Sequence, residues 1–234
     1  MISVCMATFN GSAHIFEQLD SILKQIGISD EVIISDDSST DSTIHIIKSF
    51  KDHRIKLFEN QLYKNPIFNF ENALSHAKGE MIFLSDQDDI WHENKVVSML
   101  KALENADMVV CDCSFINDEN IIILDSYFEL VKSRPGLLRN LTKNSYFGCC
   151  MAFKSKVLKK ALPFPKDIPM HDIWLGFISD LFYTPVFLPE RLTYYRKHNN
   201  NASIASDVIS NLSIYDKVRF RINTIKYIFT VILR

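Results

Sequence analysis

The feature that most restricts the fold is a regular alternation of short apolar runs with amphipathic segments. The runs are ISVCMA (2–7), EVIIS (31–35), IKLFE (55–59), MIFLS (81–85) and DMVVCD (107–112). Each is almost wholly apolar, as expected of a strand covered on both faces. The segments between them, such as residues 15–26, place apolar residues at helical spacing. This pattern predicts an α/β chain with a parallel sheet and helices on both faces.

Polar loops follow three of the predicted strands. TFN follows the first strand, DDSSTD the second and SDQDD the fourth. In open parallel sheets, ligands bind outside the carboxyl ends of the strands, where such loops meet. Asp41 or Ser42 is a suitable N-cap for the next helix, and we interpret Asp41 as a cap rather than a ligand. The three loops together predict a binding crevice.

Composition narrows the class of protein. The 234 residues are 47% hydrophobic with a net charge of -2, enough to bury a core in one domain. This balance argues against a nucleic-acid-binding protein. The five cysteines lack zinc-site spacing and are expected to be buried free thiols. We find neither a signal peptide nor a membrane-spanning apolar run, and therefore expect a cytoplasmic protein.

The segment SDQDD contains the most direct candidates for chemistry. Asp86, Asp88 and Asp89 offer the hard oxygen ligands typical of Mg²⁺ or Mn²⁺ sites, which share the ion with substrate phosphates. A solvated acidic turn is the alternative, but the preceding buried strand and the companion DDSSTD loop favour a functional site. An EF-hand is excluded because its glycine and distal glutamate are missing. Glycine-rich phosphate loops are also missing.

The ordered segments ISVCMATFNG, EVIISDDSSTDST, GEMIFLSDQDDIW, HDIW and YRKH resemble the family 2 inverting glycosyltransferases, which have the GT-A fold. The resemblance covers most of residues 1–200, and SDQDDIW is similar to the branch that includes bacterial rhamnosyltransferases. It implies a Rossmann-like, mostly parallel sheet followed by acceptor-side elements. The implied division is a GT-A domain (1–206), with a nucleotide-sugar-binding half (1–112) and an acceptor-side half (113–206), and a C-terminal basic amphipathic helix (207–234).

The resemblance also implies roles for single residues on the donor side. Donor binding is implied for Thr8, Asp36, Asp37, Asp86 and Asp89. A Mn²⁺ or Mg²⁺ ligand is implied at Asp88, and a metal or diphosphate contact at His198. The alternative for His198 is a solvent-exposed loop residue. A divalent ion would stabilise the charge of the departing nucleotide diphosphate.

On the acceptor side, Asp172 occupies the place of the catalytic base. A base there would deprotonate the acceptor hydroxyl, while an oxocarbenium-like anomeric carbon is displaced with inversion. Asp172 is alternatively the N-cap of a helix that begins near Ile173. Acceptor contacts are also considered for His171, Trp174 and Trp91, with core packing as the alternative for each.

Three departures from the family pattern bear on specificity. Ser38 stands where a glycine is common, so the loop backbone must tolerate a serine. Phe70-Glu71 replaces a common Arg-Asn pair, which leaves the donor open between dTDP-rhamnose and a UDP-hexose. His171 precedes Asp172 where a glutamate is usual, which predicts a branch-specific acceptor arrangement.

The C-terminal segment 213–234 combines five Lys or Arg residues with an apolar flank. Such a helix is predicted to lie on a membrane surface. The alternatives are packing on the domain and docking on a partner or second subunit, so the oligomeric state is left open.

The combined prediction is a metal-dependent inverting glycosyltransferase of bacterial surface polysaccharide biosynthesis. The predicted donor is a nucleotide-diphosphate sugar and the predicted acceptor a lipid-linked saccharide. The predicted site of action is the inner face of the plasma membrane. The alternative is a non-catalytic nucleotide-sugar-binding protein of the same fold. A sugar-nucleotidyltransferase is disfavoured, because the loop ATFNGS is neither glycine-rich nor basic.

Overall fold

The computed structural model describes residues 1–198 and 214–232. The strands are β1 (Ile2–Thr8), β2 (Glu31–Asp36), β3 (Ile55–Phe58), β4 (Met81–Ser85), β5 (Ile90–Trp91), β6 (Met108–Ile116), β7 (Ile122–Leu124), β8 (Met151–Lys154) and β9 (Pro185–Arg196). The α-helices are α1 (Ile15–Leu23), α2 (Thr43–Ser49), α3 (Pro66–Ser75), α4 (Lys95–Leu103), α5 (Tyr127–Val131), α6 (Leu137–Thr142), α7 (Leu158–Ala161), α8 (His171–Phe182) and α9 (Ile214–Ile232).

The strands form one sheet in the order β3-β2-β1-β4-β8-β6-β9-β5. Outside this order, β7 pairs with the carboxyl end of β6. The ladders between β1, β2, β3 and β4 are parallel, as is the ladder between β6 and β9. Strand β8 is antiparallel to both β4 and β6, so those two strands run in the same direction. The predicted α/β class with a mostly parallel sheet is confirmed.

The connections create a crevice at the end of β1. The chain moves from β1 outward through β2 to β3 and then returns to β4 on the other side of β1. Right-handed crossovers therefore place α1 and α2 on one face and α3 on the opposite face. Thr8 is in register with Asp36, and Met6 with Ser85. The loops that follow β1, β2 and β4 consequently leave the sheet at nearly the same level.

Two elements that the sequence predicts need correction. The apolar run YFGCCMAF (146–153) predicts one strand, but Gly148–Cys150 form a 3₁₀ turn and only β8 follows as strand. The segment NFENALSHAKG (69–79) predicts a helix that ends at Gly79, but α3 spans Pro66–Ser75. It begins at Pro66 because the Asn65 side chain accepts from the Ile67 N–H and proline suits a first turn. The last helix was expected from about residue 208, and residues 199–213 lie outside the described residues.

The hydrophobic core runs along both faces of the sheet and includes all five cysteines, which are buried and free as predicted. Helix α9 packs back on the domain through Ile228 and Val231. The Arg221 guanidinium donates to the carbonyl groups of Leu141 and Thr142. In the described part of the chain, we find no helix with the length and apolarity needed to cross a bilayer.

Candidate active site

A cavity of about 520 Å³ opens at the carboxyl ends of β1, β2 and β4. Its size is in the usual range for small-molecule sites. Helix α3, the Phe147–Gly148 turn and the first turn of α8 complete its walls. Six of the residues predicted from the sequence line it: Thr8, Asp37, Asp86, Asp88, His171 and Asp172. Residues more than a hundred positions apart thus meet in the predicted crevice.

Asp36 holds the loop after β2 instead of lining the cavity. Its carboxylate accepts from the Thr8 hydroxyl at 2.7 Å, and from the N–H and hydroxyl of Ser39 at 2.8 and 2.6 Å. Ser38 has a φ of 63°, in the left-handed region that favours glycine. The Ser38 hydroxyl donates to the Gln61 carbonyl at 2.6 Å. This bond helps the loop to keep a serine at the position where the family commonly has glycine.

Gln87, between the acidic residues of SDQDD, connects the loop after β4 to the loop after β1. Its side-chain oxygen accepts from the Phe9 N–H and its amide nitrogen donates to the Phe9 carbonyl, each at 3.0 Å. A β-carbon at Gly11 would lie only 2.3 Å from the Gln87 oxygen. We did not anticipate this role, because the two partners are 78 positions apart in sequence.

Near α3 the cavity has two polar atoms that find no partner in the described part of the chain. Asp37 accepts from the Asn65 N–H at 3.2 Å through one oxygen, and Asn69 donates to the Thr8 carbonyl at 3.2 Å. The Asp37 Oδ1 and Asn69 Oδ1 atoms are buried without a hydrogen-bond partner among the described residues. Leaving such an atom unpaired costs about 1–3 kcal/mol. Both residues line the cavity and are therefore positioned to receive donors of a ligand.

The acidic segment lines the cavity from the carboxyl end of β4. Asp88 Oδ2 and His198 Nε2 are 2.8 Å apart, and this hydrogen bond is the main reason that the pKa of His198 is raised. Burial, followed by the charges of Asp88 and Asp172, raises the pKa of Asp86 to about 8. Burial, followed by the charges of Asp88 and Asp86, raises the pKa of Asp89. Crowding of these carboxylates thus favours binding of a cation or of protons.

Asp89 itself is fully buried below the cavity wall. Its Oδ1 accepts from the Arg196 N–H at 3.0 Å, and its Oδ2 has no hydrogen-bond partner within the residues described. Asp86, Asp89 and Cys149 each place a ligand-type atom within 4.8 Å of the others. The Tyr195 hydroxyl is another buried group without a partner in the described chain, and Tyr195 lines the cavity.

Two buried cations offset the negative charge. Lys95 is fully buried and donates to the Cys149 carbonyl and the Thr193 hydroxyl at 2.6 and 2.7 Å. Arg196, 1% exposed, donates to the Asp88 carbonyl and forms an ion pair with Glu17 at 2.8 Å. Arg196 belongs to YRKH, one of the segments on which the resemblance in the sequence rests. The sequence offered no comparable signal for Lys95.

Asp172 is held at the first turn of α8. The Ile173 N–H donates to Oδ1 at 2.7 Å, and the Gly148 N–H donates to Oδ2 at 3.1 Å. Burial is the largest cause that raises the pKa of Asp172 to about 6, against the effect of these N–H groups. The helix begins at His171 with Met170 as its N-cap. Asp172 is therefore not the N-cap considered as its alternative role.

The two tryptophans considered for acceptor contact are core residues. Trp174 is 1% exposed, and its indole N–H donates to the Ala161 carbonyl at 2.9 Å. Trp91 is 3% exposed and packs against Phe83 and the Lys95 ammonium. Neither lines the cavity. Their positions correct the acceptor-side interpretation and correspond to the packing alternative.

Comparison with known proteins identifies the family. The model for "Glycosyl transferase family 2" matches residues 3–162, more than half of the chain. The chain belongs to glycosyl transferase family 2. This result confirms the family predicted from the ordered motifs and makes the protein a glycosyltransferase.

Curated relatives of this family 2 protein include bacterial transferases of known donors. An Escherichia coli protein described as UDP-Glc:alpha-D-GlcNAc-diphosphoundecaprenol beta-1,3-glucosyltransferase WfgD is 28% identical over 184 residues, covering 77% of this chain and 70% of the relative. The Shigella flexneri dTDP-rhamnosyl transferase RfbG is 28% identical over 220 residues, covering 84% and 72%.

Solved structures share the GT-A fold. S. aureus TarS 1-349 in complex with UDP-GlcNAc superposes with a TM-score of 0.70 at 18% identity, over 98% of this chain and 72% of TarS. The Pyrobaculum calidifontis mannosyltransferase PcManGT, in complex with GDP-Man and Mn²⁺, has a TM-score of 0.65 at 20% identity, over 87% and 59%. At these identities the likeness establishes the fold alone.

Proposed function

We propose that the protein is a metal-dependent, inverting glycosyltransferase that moves a sugar from a nucleotide diphosphate to a saccharide acceptor. The donor is a UDP-hexose or dTDP-rhamnose. The acceptor is a lipid-linked saccharide of bacterial surface polysaccharide biosynthesis, used at the inner face of the plasma membrane. Residues 1–112 bind the donor and residues 113–206 contribute the acceptor side.

One observation carries this proposal: a single cavity collects Asp37, Asp86, Asp88 and Asp172 from three separate segments, the loops after β2 and β4 and the first turn of α8. Three groups of residues in that cavity suit three different parts of the substrates. The unpaired Asp37 Oδ1 and Asn69 Oδ1 atoms suit the N–H groups of a nucleotide base. The acidic segment suits a cation with a diphosphate, and Asp172 suits an acceptor hydroxyl. A binding protein without catalysis has no need for a base of raised pKa.

The residues present fit a divalent ion. Asp88 and His198 already converge on one point, since their side-chain atoms are 2.8 Å apart. Asp86 lines the same wall, and the buried Asp89 Oδ2 has no partner among the residues described. Asp88 and His198 would hold Mn²⁺ or Mg²⁺, with Asp86 and Asp89 supporting the donor. When bound, the ion would stabilise the charge on the leaving diphosphate. The mannosyltransferase structure of the same fold contains Mn²⁺, which is consistent with a divalent ion here and does not bear on the choice of ligands.

The chain supplies the base. The two backbone N–H groups fix the orientation of the Asp172 carboxylate. Its pKa of about 6 leaves it ionised at pH 7 but more basic than an ordinary aspartate, which favours proton acceptance. In-line attack by the deprotonated hydroxyl on the anomeric carbon inverts its configuration. The proton passes to Asp172, and the diphosphate leaves on the opposite face.

The relatives and the surface of α9 support a lipid-linked acceptor. The E. coli relative is described as acting on a diphosphoundecaprenol-linked sugar. On α9, Arg219, Ile222, Lys226 and Phe229 recur at helical spacing along one face, and Ile222 and Phe229 are each 60% exposed. We infer that this mixed basic and apolar stripe lies against the membrane surface, while the opposite face of α9 packs on the domain.

The decisive experiment measures donor binding, hydrolysis and transfer separately. UDP-glucose and dTDP-rhamnose are compared in thermal-shift assays with Mn²⁺, since a bound ligand stabilises the folded state. Turnover is then measured with an α-D-GlcNAc-diphosphate lipid, with and without EDTA. Ion-dependent transfer to give the inverted linkage is expected. Donor binding without hydrolysis or transfer would instead favour the non-catalytic alternative. Equal rates of turnover with and without EDTA would refute metal dependence.

A further inference from the structure

His171 is held in an unusual environment next to Asp172. Its ring stacks on Phe70, with centroids 4.0 Å apart and planes at 24°. On its Nε2 side, a β-carbon at Gly148 would lie at 3.1 Å. The glycine therefore leaves just enough room for the imidazole. These two neighbours fix the ring at the cavity wall, where His171 is 5% exposed.

Neither ring nitrogen of His171 has a hydrogen-bond partner in the described part of the chain. A histidine retained for packing would be expected to pair at least one nitrogen, because an unpaired buried polar group is costly. Burial lowers the pKa of His171 to about 3, so the ring is neutral near pH 7. A neutral imidazole has one donor and one acceptor, which match a hydroxyl group better than a diphosphate.

We propose that His171 recognises a hydroxyl of the saccharide acceptor, beside the hydroxyl that Asp172 deprotonates. The inference rests on the proposed function and adds a specificity residue to it. The two side chains are consecutive in the first turn of α8 and line the same cavity. Gly148 lies against both side chains, since its N–H donates to Asp172 Oδ2 at 3.1 Å and a β-carbon there would lie 3.1 Å from His171 Nε2. An acceptor bound to Asp172 is therefore the ligand expected to reach His171.

The test compares His171→Phe, which keeps a stacking ring without nitrogens, with His171→Gln, which restores a donor and an acceptor. His76→Phe is the matched control, because the His76 ring also contacts a phenylalanine, Phe58, with centroids 4.0 Å apart, but is exposed and outside the cavity lining. Donor hydrolysis by water and transfer to an α-D-GlcNAc-diphosphate lipid are measured for each protein. Donor and acceptor KM values are determined separately.

We expect His171→Phe to lower the ratio of transfer to hydrolysis, or to raise the acceptor KM, by about tenfold, the effect of one lost hydrogen bond. The donor KM should change by less than about twofold. His171→Gln should recover part of the loss, and His76→Phe should match the wild type. If His171→Phe lowers hydrolysis as much as transfer, or changes neither, the inference is overturned while the proposed function stands. If the wild type hydrolyses the donor but does not transfer to this lipid, the acceptor class fails, and this inference fails with it.

Discussion

Protonation of Asp172 should control the reaction in a pH range where an ordinary aspartate is fully ionised. Burial raises the pKa of Asp172 to about 6. If only the ionised form accepts the proton, kcat/KM should fall about tenfold between pH 7 and pH 5. With the usual aspartate pKa of about 3.9, the same change of pH would lower the rate by less than about 10%.

The assay is the initial rate at donor concentrations well below KM. Mn²⁺ must be saturating at every pH, because Asp86 also has a raised pKa and protons compete with metal for carboxylates. Asp172→Asn should lose about 10²–10⁴-fold in kcat/KM, and its remaining rate should be independent of pH over this range. A wild-type rate that stays flat down to pH 5, or a fully active Asp172→Asn, would refute the assignment of the base.

The same pKa makes a prediction for stability. The folded state binds the Asp172 proton more tightly than the unfolded state, so its contribution to stability is present below pH 4 and is lost as the pH rises through 6. The difference of about two pKa units corresponds to about 3 kcal/mol. Asp172→Asn should therefore gain stability relative to the wild type as pH rises from 4 to 7, by up to about 3 kcal/mol. The variant loses part of this gain, because its amide accepts weaker hydrogen bonds from the two backbone N–H groups. Urea unfolding of the metal-free proteins measures this trend, and a difference that stays constant with pH would contradict it.

Three further predictions concern the metal, the cavity wall and the membrane. Asp88→Asn should abolish stimulation of turnover by Mn²⁺ without lowering the thermal midpoint of the metal-free protein, and full stimulation would exclude Asp88 as a ligand. Gly148→Ala should reduce kcat/KM at least tenfold, because its β-carbon would press on His171 at 3.1 Å, whereas an unchanged rate would mean that the ring can move away. The double change Ile222→Ser and Phe229→Ser should weaken sedimentation with anionic lipid vesicles several-fold without altering turnover of a water-soluble acceptor. Unchanged sedimentation would refute the contact of α9 with the membrane.

The sequence predicted the parts of the fold that depend on local pattern. Five apolar runs became β1, β2, β3, β4 and β6, and the polar loops at their ends meet as expected. Prediction was wrong where a long-range contact decides the backbone. Residues 148–150 leave the extended form in a 3₁₀ turn, and the Gly148 N–H bonds to Asp172, 24 positions away. Apolar composition alone gave no indication of that turn.

The candidate site also contains both residues that the sequence identified and residues that it did not. Asp86 and Asp88 were identified because carboxylates that follow a buried strand are conspicuous in a sequence, and Asp172 was identified through the resemblance to family 2. Gln87 and Lys95 were not, since their roles depend on partners brought together by folding: the Phe9 backbone for Gln87, and the Cys149 carbonyl for Lys95. A glutamine or a lysine in a loop or helix is ordinarily a surface residue. Only the tertiary structure separates these two from the exposed ones.

The burial of the native thiols has a practical consequence for spectroscopy. All five cysteines lie inside the protein, so maleimide reagents should leave the folded chain largely unmodified. A single cysteine introduced on the exposed face of α9, for example Phe229→Cys, then accepts a fluorophore or spin label without prior removal of the native residues. Quenching of that label by brominated or nitroxide lipids would report how deeply the helix enters a bilayer.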